Sequence, residues 1–156
     1  SLSKTYAMTG WRIGAVTGPE NIIGKMALLY ETITSCTAPF IQYAAIEAMV
    51  NSNEETYQML AKYQARRDLI VKGLNKIKGI SCLKPEGTFY AFANIKEIAI
   101  PSEKFSLDLL HNAFVASCPG IFFGSNGEGF VRFCFANSLE NIEIGLDRIN
   151  SFMNDL

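Results

Sequence analysis

The sequence lacks a hydrophobic run long enough to cross a lipid bilayer, which takes about 20 consecutive apolar residues in a helix. Its apolar stretches, such as residues 98–100 and 130–135, are no longer than β-strands. The N-terminus also lacks a charged region followed by an apolar stretch and a small-residue cleavage site, so no signal peptide is expected there. No association with a membrane is therefore predicted.

Clustered positive charge is absent too. The chain has 14 Lys and Arg against 15 Asp and Glu, a net charge of −1, and its basic residues form no stripe. A surface that binds nucleic acid needs clustered Lys and Arg to neutralise phosphates. No nucleic-acid partner is predicted.

Metal-binding spacing is missing as well. The four cysteines, Cys36, Cys82, Cys118 and Cys134, are far apart and form no CxxC pair, and His111 has no second ligand candidate beside it. No metal site is predicted. All four cysteines stand in apolar sequence, which predicts buried thiols in a reducing compartment and hence a cytoplasmic protein.

The composition is that of a globular domain. Hydrophobic residues make up 49% of the 156 residues and charged residues 19%, which is enough apolar material for a real core. The chain begins at Ser1 without an initiator Met or any lead-in sequence, so we expect a piece of a longer polypeptide.

Hydrophobic spacing in the first half predicts a short strand over residues 11–16 and a helical segment from Ile22. A second helical segment is expected after Pro39. The Asn-Ser-Asn sequence at residues 51–53 is the clearest break, because small polar residues favour turns and caps.

After this break the elements are predicted in the order α-β-β-α-β-β-α. Asn53 is expected to cap a long helix that Gly79 ends in the left-handed conformation. Strands are predicted over residues 80–83, 88–94, 121–123 and 130–135, and helices over residues 102–117 and 142–153, the last one capped by Asn137 or Ser138. Short strands with helices between them predict an α+β fold in which helices pack on one face of a small sheet.

Ser1, Lys4 and Arg12 form the first group of residues with a chemical pattern, close to turns that Gly10 and Gly14 permit. A lysine that forms an imine must be partly neutral, and a cationic neighbour disfavours its ammonium form. A guanidinium fork with a serine hydroxyl suits a phosphate dianion. The pattern favours a lysine that bonds an aldehyde beside a phosphate, as pyridoxal phosphate requires, although a solvated surface cluster would have the same spacing.

Residues 1–14 (SLSKTYAMTGWRIG) resemble the cofactor-lysine segment of the class I/II aminotransferases, which are fold-type I pyridoxal-phosphate enzymes of the aspartate aminotransferase superfamily. Further similar segments follow in the family's order. They are residues 42–45 (QYAA), 85–90 (PEGTFY), 119–124 (PGIFFG) and 131–136 (VRFCFA). The resemblance covers the whole chain and identifies it as the C-terminal portion of such an enzyme.

This resemblance implies a role for each matching residue. Lys4 would carry pyridoxal 5′-phosphate as a covalent aldimine and later move the proton at the substrate α-carbon. Ser1 and Arg12 would hold the cofactor phosphate, and Arg132 would bind the substrate α-carboxylate as a bidentate ion pair. Without the resemblance, Arg132 could equally be a structural arginine paired with Glu128 or Glu140.

The resemblance also implies the domain organisation. Residues 1–50 would be the tail of the large α/β cofactor-binding domain plus the interdomain helix, and residues 51–156 the small C-terminal domain. The parent enzyme would be a homodimer that exchanges an amino group between an amino acid and a 2-oxo acid. The family's other cofactor contacts lie upstream of the lysine, so this chain alone is expected to be inactive.

Three functions therefore stay open at the level of sequence. The parent enzyme is expected to be an aminotransferase. It could instead run another reaction of the superfamily, such as carbon–sulfur lysis or cyclopropane formation. The chain could also be a stand-alone domain without catalytic activity. The segment at residues 34–39 (TSCTAP) offers no basic residue for a dicarboxylate side chain, so the identity of the amino donor is not predicted.

Overall fold

Six α-helices and one four-stranded sheet form the regular structure in the computed structural model, which describes residues 1–156. The helices are α1 (Leu2–Thr5), α2 (Glu20–Thr34), α3 (Pro39–Asn51), α4 (Asn53–Leu74), α5 (Ser102–Ala113) and α6 (Leu139–Asn154). The strands are β1 (Ser81–Cys82), β2 (Tyr90–Asn94), β3 (Cys118–Pro119) and β4 (Phe130–Cys134). Short 3-10 segments lie at Thr9–Trp11, Lys96–Ile98, Gly120–Phe123 and Ser125–Gly127.

The chain divides into two compact units, Ser1–Leu60 and Ala61–Leu156. The boundary lies within the long helix α4, which begins at Asn53, the last residue of the predicted break and the residue predicted to cap this helix. No helix combines the length and the hydrophobicity that a membrane-spanning helix needs.

The first unit has a small core. Leu2 and Met8 from the N-terminal segment are buried together with Ala45 and Ala48 of α3. The two alanines let the N-terminal segment approach the helix closely, since they present only a methyl group. Most of the large apolar side chains of α2 and α3 remain exposed, namely Ile22, Met26, Leu28, Leu29, Tyr30, Ile33, Phe40, Tyr43, Ile46, Met49 and Val50.

The helical predictions for this unit are confirmed, but the strand predicted over residues 11–16 is wrong. Thr9–Trp11 forms a 3-10 turn, and Arg12 follows it in the left-handed region with φ 52°. The Ile13 carbonyl accepts a hydrogen bond from Leu2 N–H, so it is satisfied within its own loop. The unit contains no strand with which an extended segment could pair, and an isolated strand leaves its backbone groups unpaired.

The second unit is built on an antiparallel sheet with the strand order β1-β2-β4-β3. Its register places Ala91 opposite Phe133 and Ala93 opposite Val131. Because side chains alternate along a strand, these four residues point to the same face, and all of them are buried. That face lies in a core with side chains from α4, α5 and α6, among them Leu74, Leu109 and Ile149. The predicted α+β fold, with helices on one face of a small sheet, is confirmed.

One of the four predicted strands is displaced. Residues 121–123 belong to the 3-10 segment Gly120–Phe123, and the edge strand β3 is the dipeptide before it. The cause is the close approach of Gly120 to Gly127. A Cβ on Gly120 would lie 2.0 Å from the Gly127 carbonyl oxygen, and a Cβ on Gly127 would lie 2.1 Å from the Gly120 oxygen. This contact bends the chain away from the sheet directly after β3.

Two of the helices end earlier than predicted. Helix α4 ends at Leu74, although Gly79 has the expected left-handed φ of 81°. Helix α5 ends at Ala113 because Phe114 follows it in the left-handed region, where its N–H caps the carbonyls of Leu109 and Leu110. The predicted cap of α6 is confirmed at Ser138, whose hydroxyl accepts a hydrogen bond from Asn141 N–H.

The prediction of four buried cysteines is confirmed for Cys82 alone. Cys82 is buried, Cys118 is half-buried, and Cys36 and Cys134 are exposed. Cys36 lies between α2 and α3, and Cys134 points to the sheet face opposite the core. Burial raises the pKa of the Cys82 thiol.

We expect Gly120→Ala to destabilise the chain by roughly 3 kcal/mol, because the new methyl group would overlap two backbone oxygens that cannot move independently. Gly145→Ala is the matched control, since it lies in α6 with nothing within 4 Å of the added Cβ. Alanine is the better helix former there and should stabilise by up to about 1 kcal/mol. Urea unfolding of both variants tests this expectation, and equal stabilities would contradict it.

Candidate functional site

Lys4 lies on the short helix α1 at the start of the chain. The Ser1 hydroxyl caps this helix by accepting a hydrogen bond from Ser3 N–H at 3.3 Å. Leu2 anchors the helix through its buried side chain, while Lys4 is exposed on the last turn. The Tyr6 N–H donates to the Leu2 carbonyl and closes the turn. The lysine is thus presented by a capped and anchored turn.

Arg12 lies in the segment that follows α1 and packs beside its first turn. Leu2 N–H donates to the carbonyl of Ile13 at 3.4 Å, and a Cβ on Gly14 would lie 3.5 Å from Ser1 Cα. The Arg12 guanidinium folds back so that Nη1 donates to the Thr9 carbonyl at 3.1 Å. The structure therefore brings the segment that carries Arg12 against the start of the helix that carries Lys4.

The charge of this loop suits an anion. Residues 1–19 contain Lys4 and Arg12 but no Asp or Glu, and no carboxylate of the chain lies within ion-pair distance of Arg12. Ser1 and Arg12 are exposed, which leaves a hydroxyl and a guanidinium available to a ligand. These donors fit a phosphate dianion, because guanidinium N–H groups and hydroxyls form charge-assisted hydrogen bonds to its oxygens.

Arg132 lies in the second unit, on the sheet face opposite the core. It occupies the middle of β4, with Phe92 opposite on β2 and Cys118 opposite on β3. Its Cζ lies 4.1 Å from the centroid of the Tyr90 ring and 4.7 Å from that of the Phe123 ring. Both distances are within the range of cation–π attraction, so two aromatic rings hold the half-buried guanidinium.

No carboxylate neutralises Arg132. The chain's three ion pairs join Arg67 and Lys84 to Asp68, and Lys104 to Asp108. The alternative interpretation of Arg132 as half of an ion pair with Glu128 or Glu140 is therefore wrong. Aromatic rings attract the cation without using its N–H donors in the guanidinium plane. The arrangement leaves Arg132 able to bind a carboxylate through two parallel hydrogen bonds.

Glu128 makes a different contact. Its carboxylate accepts hydrogen bonds from Ser102 N–H at 2.7 Å and from the Ser102 hydroxyl at 2.9 Å. The backbone and then the side-chain hydrogen bond of Ser102 lower the pKa of Glu128. The Ser102 hydroxyl in turn accepts from Ile121 N–H at 3.3 Å. Sequence reasoning missed this contact, because the only signal was a serine predicted to open a helix.

Aromatic side chains continue on the same sheet face around Arg132. The rings of Phe92 and Phe130 stack with their centroids 5.1 Å apart, and Phe92 meets Phe123 edge-on at 6.0 Å. Lys96 Nζ lies 4.8 Å from the centroid of the Phe130 ring. The open face of the sheet is thus an aromatic surface that carries two cations.

The lysine loop, which carries no carboxylate, and the open-faced α+β sheet fit the class of fold-type I pyridoxal-phosphate enzymes that the sequence resembles. The chain belongs to the aminotransferase class I and II family, whose model matches residues 1–149. The aspartate aminotransferase of Pyrococcus horikoshii is 42% identical over 153 residues, which are 96% of this chain and 39% of that protein. The aromatic-amino-acid aminotransferase 2 of Thermococcus litoralis is 37% identical and covers 98% of this chain and 40% of its own length.

Solved structures agree with this assignment. An aromatic aminotransferase from Pyrococcus horikoshii superimposes with a TM-score of 0.94 at 39% identity, over 99% of this chain and 42% of its own. The aspartate aminotransferase from Rhizobium meliloti gives a TM-score of 0.91 at 35% identity, over 98% and 40%. The chain therefore spans about 40% of the length of the relatives it matches.

The lowered pKa of Glu128 predicts a specific acid sensitivity. A carboxyl whose pKa is lower in the folded chain stabilises the fold fully above its unfolded pKa of about 4.3. This stabilisation is lost as the pH falls through the lowered folded value. We expect Glu128→Gln to make the loss of stability below about pH 5 shallower.

Urea midpoints measured between pH 7 and pH 3 test this expectation. Glu143→Gln is the control, because it removes a carboxylate on α6 that makes no hydrogen bond or ion pair in the structure. If the urea midpoints of the Glu128→Gln variant and of the unmodified chain fall equally steeply below pH 5, the role assigned to the Ser102 contact is contradicted.

Proposed function

We propose that this chain is the C-terminal portion of a pyridoxal-phosphate-dependent aminotransferase, which moves an amino group between an amino acid and a 2-oxo acid. The observation that carries the proposal is the Arg132 guanidinium, held by the rings of Tyr90 and Phe123 and neutralised by no carboxylate. Amino acids and 2-oxo acids share a carboxylate beside the reacting carbon, and one receptor can serve both.

Arg132 orients the substrate in this proposal. A bidentate ion pair fixes both the position and the plane of the carboxylate, which a point charge cannot do. When the carboxylate is held, rotation about its bond to the α-carbon determines whether the bond from the α-carbon to hydrogen is oriented for proton removal. Correct orientation of this kind contributes to the rate without any new bond.

Ser1, Lys4 and Arg12 would serve the cofactor. When bound, pyridoxal phosphate supplies an aldehyde for amino groups and a ring that takes up electrons from the substrate α-carbon. Ser1 and Arg12 would bind its phosphate by hydroxyl and guanidinium hydrogen bonds. The Lys4 amine would bond covalently to the aldehyde, and after the substrate amine replaces it, Lys4 Nζ would move the proton at the substrate α-carbon.

The domain assignment follows the same proposal. Residues 1–50 would belong to the large cofactor-binding domain and the interdomain helix, and residues 51–156 would form the small domain. The exposed apolar side chains of α2 and α3 agree with this assignment, since residues of a large-domain tail would be covered in a complete enzyme. We propose a cytoplasmic homodimer as the complete form, and low activity for this chain alone.

Reduction with borohydride in the presence of pyridoxal phosphate tests the cofactor proposal on this chain. We expect saturable labelling at Lys4, mapped on peptides, because the phosphate contacts of Ser1 and Arg12 concentrate the aldehyde there. Arg12→Gln should weaken the labelling by about tenfold or more, since a charge-assisted hydrogen bond contributes about 1.5–3 kcal/mol. Lys25→Gln, on the exposed surface of α2, is the control. Equal labelling of many lysines would indicate a domain without a cofactor site.

The carboxylate proposal is tested by Arg132→Lys in the full-length polypeptide. Lysine keeps the charge but not the bidentate geometry, so KM for both the amino acid and the 2-oxo acid should rise about 10–100-fold. Arg148→Lys is the matched control, because Arg148 is an exposed residue of α6 without an ion pair. Unchanged KM values in the Arg132→Lys enzyme would refute the proposed role.

A further inference from the structure

Glu128 is the acidic residue on the loop that leads into β4, and each of its carboxylate oxygens accepts a hydrogen bond from Ser102. Oε1 accepts from the backbone N–H of Ser102 and Oε2 accepts from its hydroxyl, at 2.7 Å and 2.9 Å. Ser102 is the first residue of α5, so the carboxylate also lies at the positive end of that helix. Glu128 thereby fixes its loop to α5.

The Ser102 hydroxyl extends this contact to a third segment. It donates to Glu128 and accepts from Ile121 N–H at 3.3 Å, so its hydrogen and one lone pair both have partners. Ser102 is completely buried. Water cannot replace a lost partner at such a position, and an unpaired buried group is costly. The hydroxyl therefore links the Glu128 loop to the segment Gly120–Phe123.

The same segment is held at its first residue by the contact between Gly120 and Gly127, which leaves no room for a side chain on either one. Gly120 is thus fixed by the loop before Glu128, and Ile121 is fixed by Ser102. Two consecutive residues with fixed backbone positions determine where the rest of a short 3-10 turn points. The side chain that this turn delivers to the sheet face is Phe123.

Phe123 meets Arg132 there. Its ring centroid lies 4.7 Å from Arg132 Cζ and 6.0 Å from the centroid of the Phe92 ring, at an interplanar angle of 82° to Phe92. An arginine side chain has many rotamers, and ordering it on binding costs free energy. A ring fixed against the guanidinium lowers that cost before the ligand arrives.

We propose that Glu128 is a positioning residue for substrate binding: through Ser102 it holds Phe123 against Arg132 and so preorganises the carboxylate receptor. The inference rests on the proposed function of Arg132. The Glu128 carboxylate also affects the charge of Arg132. Glu128, the nearest acidic residue in the sequence, bonds to Ser102 and forms no ion pair with Arg132, which leaves the Arg132 charge available to the substrate.

Kinetics of the full-length polypeptide test the inference, with 2-oxoglutarate as acceptor and L-aspartate or L-phenylalanine as donor. We expect Glu128→Ala, Ser102→Ala and Phe123→Ala each to raise KM for donor and acceptor about three- to tenfold with little change in kcat, because uniform binding is lost. Glu128→Gln should recover part of the loss, since an amide can still bond to Ser102. Ile149→Val, a mild change in the core on the other face of the sheet, should leave KM unchanged.

A double-substitution cycle separates positioning from general destabilisation. In an Arg132→Lys background, Glu128→Ala should raise KM by less than twofold, because the guanidinium that it positions is gone. The NMR chemical shift of the Arg132 Nε–H group, observed in ¹⁵N-labelled chain, is a measurement that does not depend on catalysis. Its ring-current shift should move towards the value of a free arginine in the Glu128→Ala and Phe123→Ala chains.

The possible outcomes are distinct for the two proposals. If Arg132→Lys leaves KM unchanged, the proposed role of Arg132 fails. If Arg132→Lys raises KM while the Glu128, Ser102 and Phe123 variants keep the KM and the Arg132 resonance of the unmodified protein, only the positioning role fails. The positioning role would also fail if Glu128→Ala raised KM by the same factor in the Arg132→Lys background as in the unmodified protein.

Discussion

The pairing register of β2 and β4 is the constraint on which the rest of the second unit depends. It places Ala91 and Ala93 beside Val131 and Phe133 on the covered face, and Arg132 opposite Phe92 on the open face. A shift of one residue would turn every side chain of a strand to the other face, bury the guanidinium in an apolar core and expose the residues that fill it. The burial of the core and the position of Arg132 on the opposite face are therefore two results of one alternation.

The sequence predicts this part of the fold well because the signal is local. Short runs of aromatic and apolar residues predicted β2 and β4 to within two residues, and helical spacing predicted α2, α3 and α5. The failures lie where a distant contact decides the backbone. The segment after Pro119 looks like a strand from its apolar residues, but the approach of Gly120 to Gly127 bends it. Exposure of Cys134 also depends on which sheet face the helices cover, and an apolar neighbourhood in the sequence does not report that.

In the candidate site, too, local sequence segments could be predicted and contacts between distant residues could not. Ser1, Lys4, Arg12 and Arg132 were predicted as site residues because residues 1–14 and 131–136 resemble contiguous family segments. The residues around Arg132 were not identified as a group. Ser102 and Glu128 are 26 positions apart, and Ser102 and Ile121 are 19 apart, so no spacing rule connects them. Their contacts exist only after α5 has packed against the sheet, and only a structure could reveal them.

The two units differ in the size of their hydrophobic cores. Seventeen buried residues form the core around the sheet, whereas four buried residues hold the N-terminal segment on α3. Arg132 therefore lies on a sheet with a large core of its own, while the Lys4 loop has few buried residues. A ligand that binds only an ordered loop stabilises it in proportion to the logarithm of its concentration over Kd. Cofactor phosphate at Ser1 and Arg12 would thus add order to a loop with few buried residues, and its affinity would be reduced by the free energy needed to order that loop.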